Sequence, residues 1–171
     1  MIRFPYYLSY GILTIMSSES VDGGPHVGAM MRLAWQSIWK QIFSGVVAAG
    51  YDDVNPAHVG LFRYPGLDRQ RPSELADQLQ ITRQSVNDLL GHLEHHGYLT
   101  RELDPNDGRA RVVRLTAKGR QLQKTIHGHA RAAEQRIADT LGARRFTQLQ
   151  RALEDLTAPV APDDPSSPAV E

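Results

Sequence analysis

Apolar side chains recur every three or four residues along most of this chain and alternate in only one short stretch. The first stripe, Trp35, Ile38, Trp39, Ile42, Phe43 and Val46, predicts a helix over 30–49 that Gly50 closes. Asn55 and Pro56 supply the cap and first position of a helix to about residue 64, before Pro65 and Gly66. Pro72 opens another, with Glu74 near its positive end and Leu75, Ala76 and Leu79 inward. After the turn Gln80-Ile81-Thr82, Thr82 caps a helix to about residue 96, with Val86, Leu89, Leu90 and Leu93 on its apolar stripe. Gly97 ends it.

The period then changes. Residues 98–103 read as a strand, Pro105, Asn106, Asp107 and Gly108 are turn formers, and 110–115 read as a second strand. In that strand Val113 and Leu115 share one face, Val112 and Arg114 the other. Thr116 caps a long amphipathic helix over 117–141, and Gly142 separates it from a helix over 143–156. The fold class expected is mainly α with a small β-hairpin wing, a winged helix-turn-helix with N- and C-terminal dimerisation helices.

The chemistry clusters in the hairpin and the helix before it. From Gly108 to Arg120 the charged residues are Arg109, Arg111, Arg114, Lys118 and Arg120, with no acid among them. A basic hairpin directly after a helix-turn-helix pattern is the arrangement of a winged DNA-binding domain. On the helix over 83–96, the face away from the apolar stripe carries Gln84, Asp88, Gly91 and His95, flanked by Arg83, Ser85, Asn87 and His92. Arg, Gln, Asn and Ser near a helix start are side chains that bond base edges and phosphates in a major groove.

Residues 83–101, together with Asp104-Pro105-Asn106-Asp107-Gly108-Arg109-Ala110 and Leu115-Thr116-Ala117-Lys118-Gly119, resemble the MarR family. The likeness is specific over about 72–120 and looser over 30–64 and 120–156. It implies a homodimeric transcription regulator, most simply a repressor, acting on an inverted-repeat operator in double-stranded DNA. Carried over by position, Thr82, Arg83, Gln84, Ser85 and Asn87 would lie in the major groove. Arg109 would enter the minor groove, braced by Asp107, with Arg111 beside it and Arg101 near the DNA backbone.

This chain departs from the family pattern at several places. Gln80 stands where a Gly is usual; a non-Gly residue in a left-handed turn costs roughly 1 kcal/mol, which leaves room for a differently shaped turn. Arg71 stands where a Ser or Thr cap is usual. Gly108 removes one wing-tip arginine, and Asp88 faces an anionic partner.

The apolar stripes of the outer helices lie outside the small DNA-binding core and need another surface. Leu122, Ile126, Ile137, Leu141, Phe146, Leu149, Leu153 and Leu156 are the candidate dimerisation residues. Trp35, Trp39, Phe62 and Tyr64 are candidates for a pocket taking a small aromatic or anionic effector; the plain alternative for the two tryptophans is a place in the dimer core. His92 and His96 have metal-ligand spacing, but without cysteine or a third ligand they read as exposed or phosphate-contacting. No metal or cofactor is expected. His127 and His129 fall on different helix faces.

Composition narrows the rest. The chain has 171 residues, enough for one domain of ordinary size with a real core. Its formal net charge is zero, with 19 basic and 19 acidic residues, so bulk charge lends nothing to nucleic-acid binding and only the local cluster does. Zero cysteines exclude disulfides, cysteine-based zinc sites and a thiol redox switch. No phosphate-binding loop, serine-hydrolase or zinc-protease motif occurs, so an enzyme is not expected.

Residues 1–25 read as a flexible or mis-assigned N-terminal extension. The first 16 have the positive start and apolar run of a signal peptide but no small-x-small cleavage site, and they are short of the ~20 residues that span a bilayer; Met16 is an alternative start. Residues 26–157 form the MarR-type domain: a winged helix-turn-helix over about 55–120 and dimerisation helices over about 28–50 and 117–157. Residues 158–171, rich in Pro, Asp, Ser and Ala, read as a disordered tail. Binding DNA requires the cytoplasm and no membrane partner. Two other readings fit the same residues: a DNA-binding factor without an effector, and a winged-helix interaction module that has lost DNA binding.

Overall fold

The computed structural model describes residues 26–62, 66–105 and 107–158. The expected N-terminal extension, the tail from residue 159, and Tyr64 lie outside the described residues. The order is α1 (Val27–Ala48), α2 (Pro56–Leu61), α3 (Pro72–Leu79), α4 (Arg83–His95), β1 (Leu99–Asp104), β2 (Asp107–Leu115), α5 (Ala117–Leu141) and α6 (Ala143–Thr157). Among the described residues no helix is long and apolar enough to cross a membrane. The chain divides into two compact units, one up to Arg131 and one from Ala132.

In the first unit the apolar stripes meet in one core. Val59, Phe62 and Leu67, then Val86, Leu90 and Leu93 of α4, are wholly buried, and Leu75 and Ala76 of α3 nearly so. The hairpin closes the core with Leu99, Val113 and Leu115. Leu122 and Ile126 of α5 belong here as well, at 0% and 4% exposure. That corrects their assignment to the dimer face: a side chain already enclosed by its own chain has no surface left for a second copy. Helical period shows that a stripe is covered, not what covers it.

The caps explain the boundaries. Asn55 Oδ1 accepts the His58 N–H (3.0 Å), and His58 Nδ1 accepts the Asn55 N–H (3.1 Å), a reciprocal capping box. Thr82 Oγ1 accepts the Ser85 N–H (3.1 Å) at the start of α4. Thr116 Oγ1 accepts the Gly119 N–H (3.1 Å) at the start of α5. A Cβ at Gly119 would collide with the Tyr98 carbonyl oxygen, so the approach of α5 to β1 requires glycine there.

Gln80 does adopt the left-handed conformation, φ 52° and ψ 40°, so the turn is made without a glycine. Arg71 cannot cap with its own side chain, which has no acceptor. The α3 start instead uses the other half of the box: Glu74 Oε2 accepts the Arg71 N–H (2.8 Å).

β1 and β2 pair antiparallel with Leu99 opposite Leu115, Arg101 opposite Val113 and Leu103 opposite Arg111. The turn is tighter than expected, because β2 begins at Asp107 rather than after Gly108. The free edge of β2 is closed by the segment before α3. Arg69 N–H donates to Val113 O (2.7 Å), Val113 N–H to Gln70 O (2.9 Å), and Leu115 N–H to Asp68 Oδ1 (2.8 Å). Val112 is also buried, at 5% exposure, so the strand does not alternate cleanly. It shares a groove with Arg69, Arg71 and Arg114.

Candidate nucleic-acid interface

α4 and the hairpin present the polar residues that the sequence singles out. Thr82, Arg83, Gln84 and Asn87 are exposed and Ser85 is half-buried. They occupy the first turns of α4 because the apolar spacing of Val86, Leu90 and Leu93 turns the opposite side outward. Three of them are already committed within the protein. Thr82 is the cap, and its hydroxyl lies 2.8 Å from that of Ser85. Asn87 Nδ2 donates to the Arg83 carbonyl (2.9 Å). Arg83 and Gln84 remain projecting.

Arg101 joins the helix to the hairpin. Its Nε donates to Glu94 Oε2 (2.9 Å), its backbone N–H to Glu94 Oε1 (3.1 Å), and its Nη1 to Asn87 Oδ1 (3.1 Å). Arg101 is therefore a strut between β1 and α4 that fixes which way the Asn87 amide faces. A charge-assisted contact of this kind is stronger than a neutral one. It also shows that the wing strand runs beside the outward side of α4.

The wing is held from below by a second long-range pair. Arg71 Nε and Nη2 both donate to Asp104 Oδ2 (2.9 and 2.5 Å), and Arg71 Nη1 lies 3.5 Å from Asp107 Oδ2. Asp104 is 8% exposed, so its charge needs that partner. Asp107 Oδ1 in turn accepts the Arg109 backbone N–H (3.2 Å). Asp107 thus shapes the wing through backbone and through Arg71. Arg109 and Arg111 are both exposed. Arg114, on the same strand, is offset by Glu102 at 3.5 Å.

The far end of α4 is fixed by a cluster that the sequence does not announce. His92 and His96 are not turned to solvent or to a phosphate. The rings of His58, His92 and His96 stack, with centroids 4.2 and 4.1 Å apart. His92 Nε2 donates to the Asp53 carbonyl (2.6 Å), and His96 Nδ1 donates to the His92 carbonyl (2.8 Å). Tyr98 Oη donates to Asp53 Oδ1 (2.5 Å), and Lys118 Nζ bonds Asp53 Oδ2 (3.2 Å) and the His96 carbonyl (3.0 Å). Partial burial works to raise the Asp53 pKa, but hydrogen bonds from Tyr98 and Lys118 outweigh it and hold the carboxyl below its ordinary range. Burial, then the bond to Asp53, pushes the Tyr98 hydroxyl up. Burial, then the neighbouring His92 and His96, brings His58 down to about 4. Only the i, i+4 spacing of His92 and His96 hinted at this cluster; among the described residues no group of three His, Asp or Glu could hold a metal.

The proposed pocket residues do not come together as one exposed site. Trp35 and Trp39 stack at 5.6 Å, with Trp35 40% exposed and Trp39 half-buried. Phe62 is wholly buried in the core, with no face free for a ligand. In the second unit Leu149, Leu153 and Leu156 are exposed, at 38%, 39% and 69%. Ile137, Leu141 and Phe146 are half-buried.

A family-wide sequence model described as MarR family matches residues 55–110. The HTH-type transcriptional repressor Rv2887 of Mycobacterium tuberculosis is 35% identical over 96 residues, which span 56% of this chain and 67% of that protein. The crystal structure of Rv2887 in complex with DNA is similar at TM-score 0.62 and 25% identity, covering 79% of this chain and all of that one. The structure of Rv2887 in complex with salicylic acid is similar at TM-score 0.59 and 26% identity, covering 78% of this chain and 98% of that one.

Proposed function

The chain belongs to the MarR family of winged-helix transcriptional regulators, and from that premise we propose that it is a homodimeric repressor of an inverted-repeat operator. The observation that carries the reading is the Arg101 strut, which sets the exposed start of α4 beside a wing bearing exposed Arg109 and Arg111. Arg83 and Gln84 would read base edges in the major groove, with Thr82, Ser85 and Asn87 at its margin. Arg109 would enter the flanking minor groove, where its charge is drawn to the narrow, negative floor. Arg111 would contact phosphate. Asp107 and Arg101 act by shaping the wing and orienting Asn87.

Residues 26–157 serve as one working domain in this account. Half of it reads DNA, and the exposed apolar faces of α1 and α6 meet a second copy of the chain. Ile137, Leu141, Phe146, Leu149, Leu153 and Leu156 are the contacts on that side. Acting on operator DNA places this work in the cytoplasm. Because Rv2887 has been crystallised with salicylic acid, a small aromatic acid is the effector class to test, with the Trp35–Trp39 pair as its contact. An effector releases DNA only if it favours the non-binding form; a ~100-fold preference corresponds to roughly 2.7 kcal/mol of coupling.

The test is selection of bound sequences from a random duplex library, washed at low and at physiological salt. The expected result is one inverted repeat with half-site centres about 10 bp apart. Binding that vanishes at physiological salt, with no recurrent sequence, would leave only phosphate attraction and overturn the reading.

A further inference from the structure

The histidine stack lies away from the proposed DNA contacts and links α2 to the C-terminal end of the recognition helix. His58 is the inner member, 4% exposed, and it does two jobs at once. Its ring lies against His92, and its Nδ1 accepts the Asn55 N–H that completes the α2 cap. The cap requires the neutral ring, with Nδ1 unprotonated. A proton on Nδ1 would turn the acceptor into a donor facing another donor, and would bring a charge into a buried contact with His92.

The surrounding groups do not rescue the charge. From the loop before α2 come Tyr51, Asp52 and Asp53; from α4 and its end, His92, His95 and His96; from the residue before β1, Tyr98; from α5, Lys118 and, at the far end of α2, His127 near the Phe62 carbonyl. Asp53 is the one close anion, but its two oxygens are taken by Tyr98 and Lys118. The last carbonyls of α4 would attract a cation. Lys118 already occupies that place on His96 O.

We propose that His58 is a positioning residue for the recognition helix, and that its protonation unlatches α2 from the end of α4 and weakens operator binding. The inference rests on the DNA-binding reading above for its readout, not for its geometry. Burial and the two neighbouring histidines keep the latch closed near neutrality by holding His58 at about 4. In the open form the ring regains its ordinary value of 6.5. Opening is therefore favoured by about 30-fold on going from pH 7.5 to pH 5, and the effect levels off as pH falls through the closed-form value.

His58→Gln isolates this group, because a glutamine at that position can still accept the Asn55 N–H but does not titrate. Affinity for the selected duplex would be measured at pH 7.5 and pH 5 at fixed ionic strength. Affinity in the unaltered protein is expected to fall several-fold from pH 7.5 to pH 5, bounded by the ~30-fold shift in opening, and to fall measurably less in His58→Gln. An equal fall in both proteins would overturn the proposal. A second measurement needs no variant: imidazole titration by NMR in the unaltered chain. The amides of His96 and Tyr98 should shift with the midpoint of the His58 ring; amides that stay still while that ring titrates would overturn it too. Failure to bind any duplex at pH 7.5 would instead refute the DNA-binding reading and leave the NMR result to decide the latch.

Discussion

Leu90 of α4 and Leu153 of α6 are both helical leucines on regular apolar stripes, yet Leu90 is wholly buried and Leu153 is 39% exposed. The contrast holds across their surroundings. Around Leu90 the winged helix-turn-helix encloses its stripes within one chain and ties its polar ends together through Arg101, Arg71 and Asp53. Around Leu153 no residue of α6 is buried, and Leu149 and Leu156 are exposed beside it. Val27, Met30, Met31, Leu33 and Trp35 repeat the pattern on the first half of α1. One region is complete as a single chain. The others carry apolar surface of the kind that marks an interaction site, which is why the account assigns it to a second copy.

Leu153→Asp is expected to have the largest effect. Placing a charge in the proposed contact should leave a folded monomer by sedimentation velocity and lower operator affinity by about a hundredfold or more, because the gain from engaging two half-sites together is lost. A fully dimeric variant would remove α6 from the interface. Leu90→Ala should destabilise the chain by about 2–5 kcal/mol, read from denaturant unfolding. That loss should be the same at every protein concentration, whereas the loss caused by Leu153→Ala should disappear on dilution to where both proteins are monomeric, because only a dimer contact was removed. Matching concentration dependence in the two would erase the distinction. Arg109→Ala should weaken operator binding by about 1–3 kcal/mol and leave the unfolding midpoint in place. Unchanged affinity would exclude the wing from the contact.

Much of the fold was legible because short-range rules decide it. Thr82 and Thr116 cap their helices as their positions suggest, and Gly50, Gly97 and Gly142 all take the positive φ expected at a helix end. The stripe of Val86, Leu90 and Leu93 turned Arg83 and Gln84 outward without further information. What the sequence hid is long-range. Arg71 and Asp104 are 33 residues apart, and His92 reaches Asp53 across 39. No local period signals such pairs. Arg71, which looked like a missing cap, is the anchor of the wing, and His92 and His96, which looked solvent-facing, are stacked. Leu122 and Ile126 were misplaced for a related reason: the first turns of α5 pack into the core of the first unit, and helical period does not tell which stripe residues that core covers.

In the proposed complex two copies present two recognition helices and two wings to one stretch of duplex. Hydroxyl-radical footprinting of the unaltered chain on its selected sequence tests it most directly. A dyad-symmetric footprint is expected, with protected backbone segments repeating about one helical turn, or about 10 bp, apart and additional minor-groove protection at both outer flanks. The flank protection should vanish with Arg109→Ala. A single protected patch without a dyad would contradict the account.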